Sequence, residues 1–195
     1  EIGVRLVGSE MCIRDSSLLQ KERCTYNLWA PSPNKIENLR KILKYSCEKI
    51  GRAELFKYIC DEFKLRVSSV ESMMPFLKAA GLLEEVGRNI YVTSSAAKEW
   101  CIIGEDIDFI RILHCHFRFV GEMINFAEND ITRNEIYQEA KKYGLNNEKT
   151  RWIAGFLIEA GLLEETRYLH LKATLFGIKL AKTLPMADQT VYTVS

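Results

Sequence analysis

Paired cysteines, long apolar runs and glycine-rich phosphate loops are all missing from this sequence, and each absence removes a class of function. No apolar run approaches the roughly 18 residues that a membrane-spanning helix needs, so the chain is expected to be soluble with no membrane partner. The six cysteines, Cys12, Cys24, Cys47, Cys60, Cys101 and Cys115, never form a Cys-x-x-Cys pair, and none lies at zinc spacing with a histidine. Scattered single cysteines without a secretory signal fit a reducing cytoplasm, and neither a metal nor a cofactor is expected. There is no nucleophile-elbow glycine pattern and no zinc-protease helix motif. Nothing reads as an enzyme. A surplus of charge is missing too: 27 Lys and Arg stand against 26 Asp and Glu, a net charge of +1. That is not the global field of a strongly basic nucleic-acid binder, so any such contact must come from a local patch.

What is present is a repeat. Residues 76–85 read FLKAAGLLEE and residues 156–165 read FLIEAGLLEE, identical at eight of ten positions. Self-similarity of this kind sets the architecture. Each copy ends a helical pattern at Gly81 or Gly161, the residue type that takes the left-handed conformation past a helix end. Each then continues as Leu-Leu-Glu-Glu, a short run that can leave as a strand. A second match, Arg52-Ala-Glu54-Leu-Phe56 with Arg133-Asn-Glu135-Ile-Tyr137, extends the repeat upstream.

Between these anchors the pattern predicts a mainly α chain with small β-hairpins. After the rigid Trp29-Ala-Pro31-Ser-Pro33, Asn34 and Glu37 suggest a capping box opening a helix over 35–48. A second helix is expected at 53–63 and a third, capped by Ser68 or Ser69, ending at Gly81 with Pro75 inside it. Strands at 82–86 and 90–93 flank a turn at Gly87-Arg88-Asn89, and Thr93 or Ser94 caps a closing helix. The span 107–127 is apolar on more than one face (Phe109, Ile110, Ile112, Leu113, Phe117, Phe119, Met123). It reads as one long helix buried on several sides, joining the two domains, with a dimer contact as a further use. Thr132 with Glu135, Gly144, a helix at 148–160, strands at 162–166 and 169–173 and a helix from Thr174 complete the second copy. The domains are therefore placed at 34–103 and 106–184, with a tail at 185–195.

Residues 5–16, RLVGSEMCIRDS, resemble a conceptual translation of a transposase-type sequencing adapter. Such a segment is left out of fold reasoning. Residues 1–27 are accordingly read as a leader that is non-native or disordered, with a start placed near Leu28.

Three helices, a hairpin and a closing helix, repeated, resemble the winged-helix family over residues 35–184. The resemblance implies two tandem winged-helix domains. It also implies that the N-terminal end of the third helix enters the major groove of DNA. In the second copy that end carries Asn146, Asn147, Lys149, Thr150, Arg151 and Trp152. Asn can pair with adenine, Arg with guanine, and Lys or Thr with phosphate. In the first copy the matching positions are Arg66, Val67, Ser69, Val70, Glu71 and Ser72, a poorer surface, with Lys64 just upstream. Arg88 and Asn89 on one hairpin, and Arg167 and Tyr168 on the other, are the wing contacts. The neighbouring carboxylates Glu84-Glu85 and Glu164-Glu165 point to opposite faces of a strand and form no catalytic pair. His114 and His116, two apart on a helix, do not face each other and form no metal triplet with Cys115.

The expected function is DNA binding in transcriptional regulation, with double-stranded DNA as partner. The alternative is a protein-interaction or scaffold module of a larger restriction or defence protein, acting through a homodimer or a partner protein.

Overall fold

A computed structural model describes residues 23–187 and Tyr192; the adapter-like string and Cys12 lie outside the described residues. The first half runs α1 (Lys35–Tyr45), β1 (Ile50–Gly51), α2 (Arg52–Phe63), α3 (Val67–Ala79), β2 (Leu83–Gly87), β3 (Ile90–Thr93) and α4 (Ser95–Ile103). Then α5 (Asp106–His116) and α6 (Val120–Phe126) lead into β4 (Ile131–Thr132), α7 (Arg133–Lys142) and α8 (Asn147–Glu159). Finally come β5 (Leu163–Arg167), β6 (His170–Ala173) and α9 (Leu175–Ala181). The described chain is mainly helical, with two three-stranded antiparallel sheets ordered β1-β3-β2 and β4-β6-β5. Among the described residues no helix is long and apolar enough to cross a membrane.

The repeat extends to the register. Leu83 faces Thr93 as Leu163 faces Ala173, and each hairpin carries a bulge, at Glu85/Gly87 and at Glu165/Arg167. Gly81 and Gly161 leave their helices at φ 65° and 74°, as their place after the apolar pattern requires. Thr132 and Glu135 close a reciprocal capping box, with Glu135 N–H donating to the Thr132 hydroxyl at 3.2 Å and Thr132 N–H to Glu135 at 2.8 Å. The closing helices are capped by Ser94 and Thr174, 80 positions apart. Thr93 is not a cap: its hydroxyl donates to the Leu43 carbonyl at 2.7 Å, inside the core.

The expected long helix over 107–127 is two helices. Phe117 is extended and Phe119 is left-handed at φ 66°, an uncommon state for a bulky side chain. The N-terminal segment accounts for the break. Cys24 N–H donates to the His116 carbonyl at 2.8 Å, and Arg118 N–H donates to the Cys24 carbonyl at 3.1 Å. Backbone groups that a continuous helix would pair internally are thus taken by another segment. After the break, α6 plays the part that α1 plays in the first half: α1 packs on α4, and α6 packs on α9. Buried Leu39, Ile42 and Leu43 have buried Val120, Met123 and Ile124 as their counterparts 81 positions on.

Residues 23–27 are also no detached leader. Arg23 is buried, and its guanidinium pairs with the Glu122 carboxylate of α6. A charge taken out of water is held only by an opposite charge and hydrogen bonds, and Arg23 has both. Nor does the chain fray at 185, since Leu184 and Ala187 are buried and Tyr143 donates to the Ala187 carbonyl at 3.3 Å.

The two halves share one apolar core. Phe76 of α3 and its counterpart Phe156 of α8 lie ring on ring at 6.2 Å, with Phe117 and Phe109 edge-on to them at 5.7 and 5.3 Å. Flanking contacts are reciprocal. The start of α1 meets the end of α8, and His116, 81 positions after Lys35, lies against Gly81 at the end of α3. Equivalent residues meeting each other is the signature of a two-fold interface, here within one chain. Asn34 takes no side-chain cap bond and is itself left-handed. The α1 amides of Lys35 and Ile36 donate instead to Glu159, at 3.2 and 3.0 Å. Likewise α3 begins at Val67 without a side-chain cap, and Ser68 and Ser69 lie within it.

Gly177 shows how closely the closing helix packs. A Cβ there would collide with the Leu162 carbonyl, a backbone group that cannot swing aside. Gly177→Ala is therefore expected to lower stability by about 1–3 kcal/mol, the usual cost of overpacking. A urea unfolding curve unchanged from the parent would show that α9 can move away. Its first-half counterpart, Ala97, is buried with its methyl in place.

Candidate nucleic-acid interface

The candidate surface is built at the start of α8. Gly144 turns the chain at φ 83°, buried Leu145 anchors the turn, and Asn146 caps the helix, its side chain accepting from Lys149 N–H at 2.9 Å. Asn147 and Arg151 are exposed and have no side-chain partner among the described residues. They stand four apart, on one face of the helix. Lys149 is half-buried beside the Cys24 thiol, whose pKa is pushed up chiefly by burial.

Two expected contacts leave this surface. Thr150 is buried, and its hydroxyl donates to the Asn146 carbonyl at 2.7 Å, so it reaches no phosphate. Trp152 is half-buried, with the Lys35 ammonium 5.1 Å above its ring and Phe156 6.0 Å away. It belongs to the junction between the halves.

In the first half Lys64, left-handed at φ 54°, and Arg66 are exposed just before α3. Past them the face closes: Arg52 pairs with Glu71 at 3.1 Å and lies over the Phe56 ring. On the hairpin tips Arg88 is exposed, while Arg167 is drawn to Asp130 at 3.7 Å. Asp130's carboxyl is held below its ordinary range by the Thr166 hydroxyl, then by His170 and Arg167. A wing cation spent on a carboxylate is worth less to a phosphate. An open cleft of about 430 Å³ between α1 and α2 is lined by Tyr45, Glu54, Lys57, Tyr58, Asp61 and Glu62, a sign of charge that repels nucleic acid.

No protein-family model, curated protein or solved structure matches this chain.

Sequence reasoning missed a buried polar cluster beside this surface. Besides Glu122, Arg23 reaches the Tyr192 hydroxyl at 3.0 and 3.1 Å and the His114 ring at 3.2 Å. His114 Nε2 lies 2.7 Å from the Pro185 carbonyl, so it carries the proton, and Nδ1 accepts from Gly121 N–H at 3.0 Å. Burial, the leading cause, holds the His114 pKa below its usual 6.5. The folded protein therefore favours neutral His114, while the unfolded chain protonates near 6.5. Stability from this residue is full above that pH and is lost as pH falls. The parent's urea midpoint is expected to drop between pH 7.5 and 5. The drop should be smaller in His114→Gln, which cannot titrate but can still bond Pro185; equal drops in both chains would count against His114 as the source.

Proposed function

We propose that the chain is a tandem winged-helix protein that binds double-stranded DNA, with α8 as the reading helix. The observation that carries this reading is the pair Asn147 and Arg151, exposed on one face at the start of α8 and without side-chain partners among the described residues. Exposed Asn and Arg at a helix start are what a major-groove reader uses for adenine and guanine edges. The order helix, strand, helix, helix, hairpin in each half supports the family resemblance. Lys149, Lys64, Arg66 and Arg88 supply the phosphate contacts, with Asn146 confined to capping and Arg167 weakened by Asp130. The two halves are unequal, and the second carries specificity.

Fluorescence anisotropy of the full chain against random duplex DNA tests this reading. Affinity should fall steeply from low to moderate salt, as counterion release requires. Lys149→Ala with Arg151→Ala should weaken binding by about 10- to 100-fold, since the Arg151 base pairing alone is worth about 1–3 kcal/mol, with the fold intact by circular dichroism. Unchanged affinity would remove these two residues from the interface.

One observation favours a protein-interaction module instead. Leu175 is 80% exposed and Phe176 stands open beside it at the start of α9, where the first half has Ser95 and Ala96. A folded chain with no duplex binding at low salt would give that reading the lead.

A further inference from the structure

Both ends of the described chain converge on the turn that launches α8. At the N-terminal end, the Arg23 carbonyl accepts from Arg118 Nε at 3.0 Å, and Thr25 lies against Gly144. At the C-terminal end, the Tyr192 ring lies under the Arg118 guanidinium at 4.0 Å and beside the Tyr143 ring at 6.0 Å. Arg118 Nη1 in turn donates to the Tyr143 carbonyl at 3.3 Å, the residue immediately before Gly144. A single chain of contacts thus runs from Tyr192 through Arg118 to the turn, three residues ahead of the Asn146 cap. The Tyr192 hydroxyl meanwhile accepts from Arg23, whose own charge is held by Glu122.

We propose that Tyr192 is a positioning residue: it latches Arg23 and Arg118 against the Tyr143–Asn146 turn, so that its side chain sets how rigidly the start of α8 is presented. This deepens the DNA-binding reading and rests on it. The equivalent turn of the first half, Phe63 to Arg66, has no such strap among the described residues. Its Lys64 takes the left-handed conformation with no side-chain partner among the described residues to hold it. The latch belongs to the half that carries the candidate surface.

Hydrogen exchange on the full chain, comparing the parent with Tyr192→Phe and Tyr192→Ala, tests the latch without reference to any ligand. In Tyr192→Ala, amides at 143–150 should exchange about tenfold faster while those at 63–70 keep their parent rates, as local opening predicts. Tyr192→Phe keeps the ring on Arg118 and should fall between the two. Duplex affinity should drop about fivefold in Tyr192→Ala with an unchanged salt slope, because no phosphate contact is lost. Unchanged exchange at 143–150 overturns the latch, and so does acceleration spread equally over both halves. Faster local exchange in a protein that binds no duplex would uphold the latch and overturn the DNA reading beneath it.

Discussion

Arg23→Ala is expected to remove about 3–5 kcal/mol of unfolding free energy, the cost of leaving one partner of a buried ion pair alone. Glu122 is the reason the figure is large. It lies on α6, buried, with His114 as its other polar neighbour, and a helix residue cannot turn its carboxylate out to water without disturbing the core. The reverse change, Glu122→Ala, should cost less, because the Arg23 guanidinium keeps the Tyr192 hydroxyl and the His114 carbonyl as acceptors. A chain begun at Leu28 should lose more than Arg23→Ala, because it also gives up the Cys24 backbone bonds to His116 and Arg118. Arg23→Met with Glu122→Leu, which replaces charge by apolar volume, should recover most of it, since buried pairs often yield to hydrophobic replacements without loss. Urea unfolding followed by tryptophan fluorescence measures all four. A loss below about 1 kcal/mol in Arg23→Ala would mean that Glu122 finds water or another donor.

Phe156→Ala should cost a comparable amount, about 3–5 kcal/mol, as large aromatic deletions in a packed core do. Its ring touches Phe76 from the first half, Phe109 from the connecting helix and Trp152 from its own helix. The deletion therefore opens a void where three segments meet, and none can close it alone. The parent is expected to unfold in one cooperative step because its halves share a core. In Phe156→Ala the transition should broaden or split as that core is weakened. Calorimetric and van't Hoff enthalpies decide this: equal values in parent and variant, with a small loss, would show that the halves are held together elsewhere.

Where the sequence was legible, local chemistry had no competitor. Gly81 and Gly161, the Thr132–Glu135 box and both hairpins follow from residue types whose backbone preferences are strong, and the glycines and hairpins each have a twin in the other half. Where it was not, a distant segment had intervened. No glycine or proline marks the break at Phe117–Phe119; the bonds from Cys24 impose it. Asn34 looked like a cap, yet Glu159, more than a hundred residues away, supplies the acceptor. Trp152 reads as a surface residue until Lys35 covers it. Of the candidate surface, the exposed Asn147 and Arg151 were legible because a helix start follows from Gly144 and Asn146. The Arg23 cluster was not, because it joins residues far apart in the sequence and Arg23 lies in the stretch set aside with the adapter-like string.

The reciprocal contacts around Phe76 and Phe156 have a consequence in mass action. Two separate subunits meeting through such a face would come apart on dilution, and their stability would depend on concentration. Joined in one chain, the halves meet in a unimolecular step, whose equilibrium does not depend on how much protein is present. The joining also releases a genetic constraint. In a symmetric dimer every substitution is made twice, on both sides of the axis, whereas here Val67 and Asn147 occupy matching positions with different side chains. Under the DNA-binding proposal, a single-chain pair of this kind is free to address a target that has no palindrome in it.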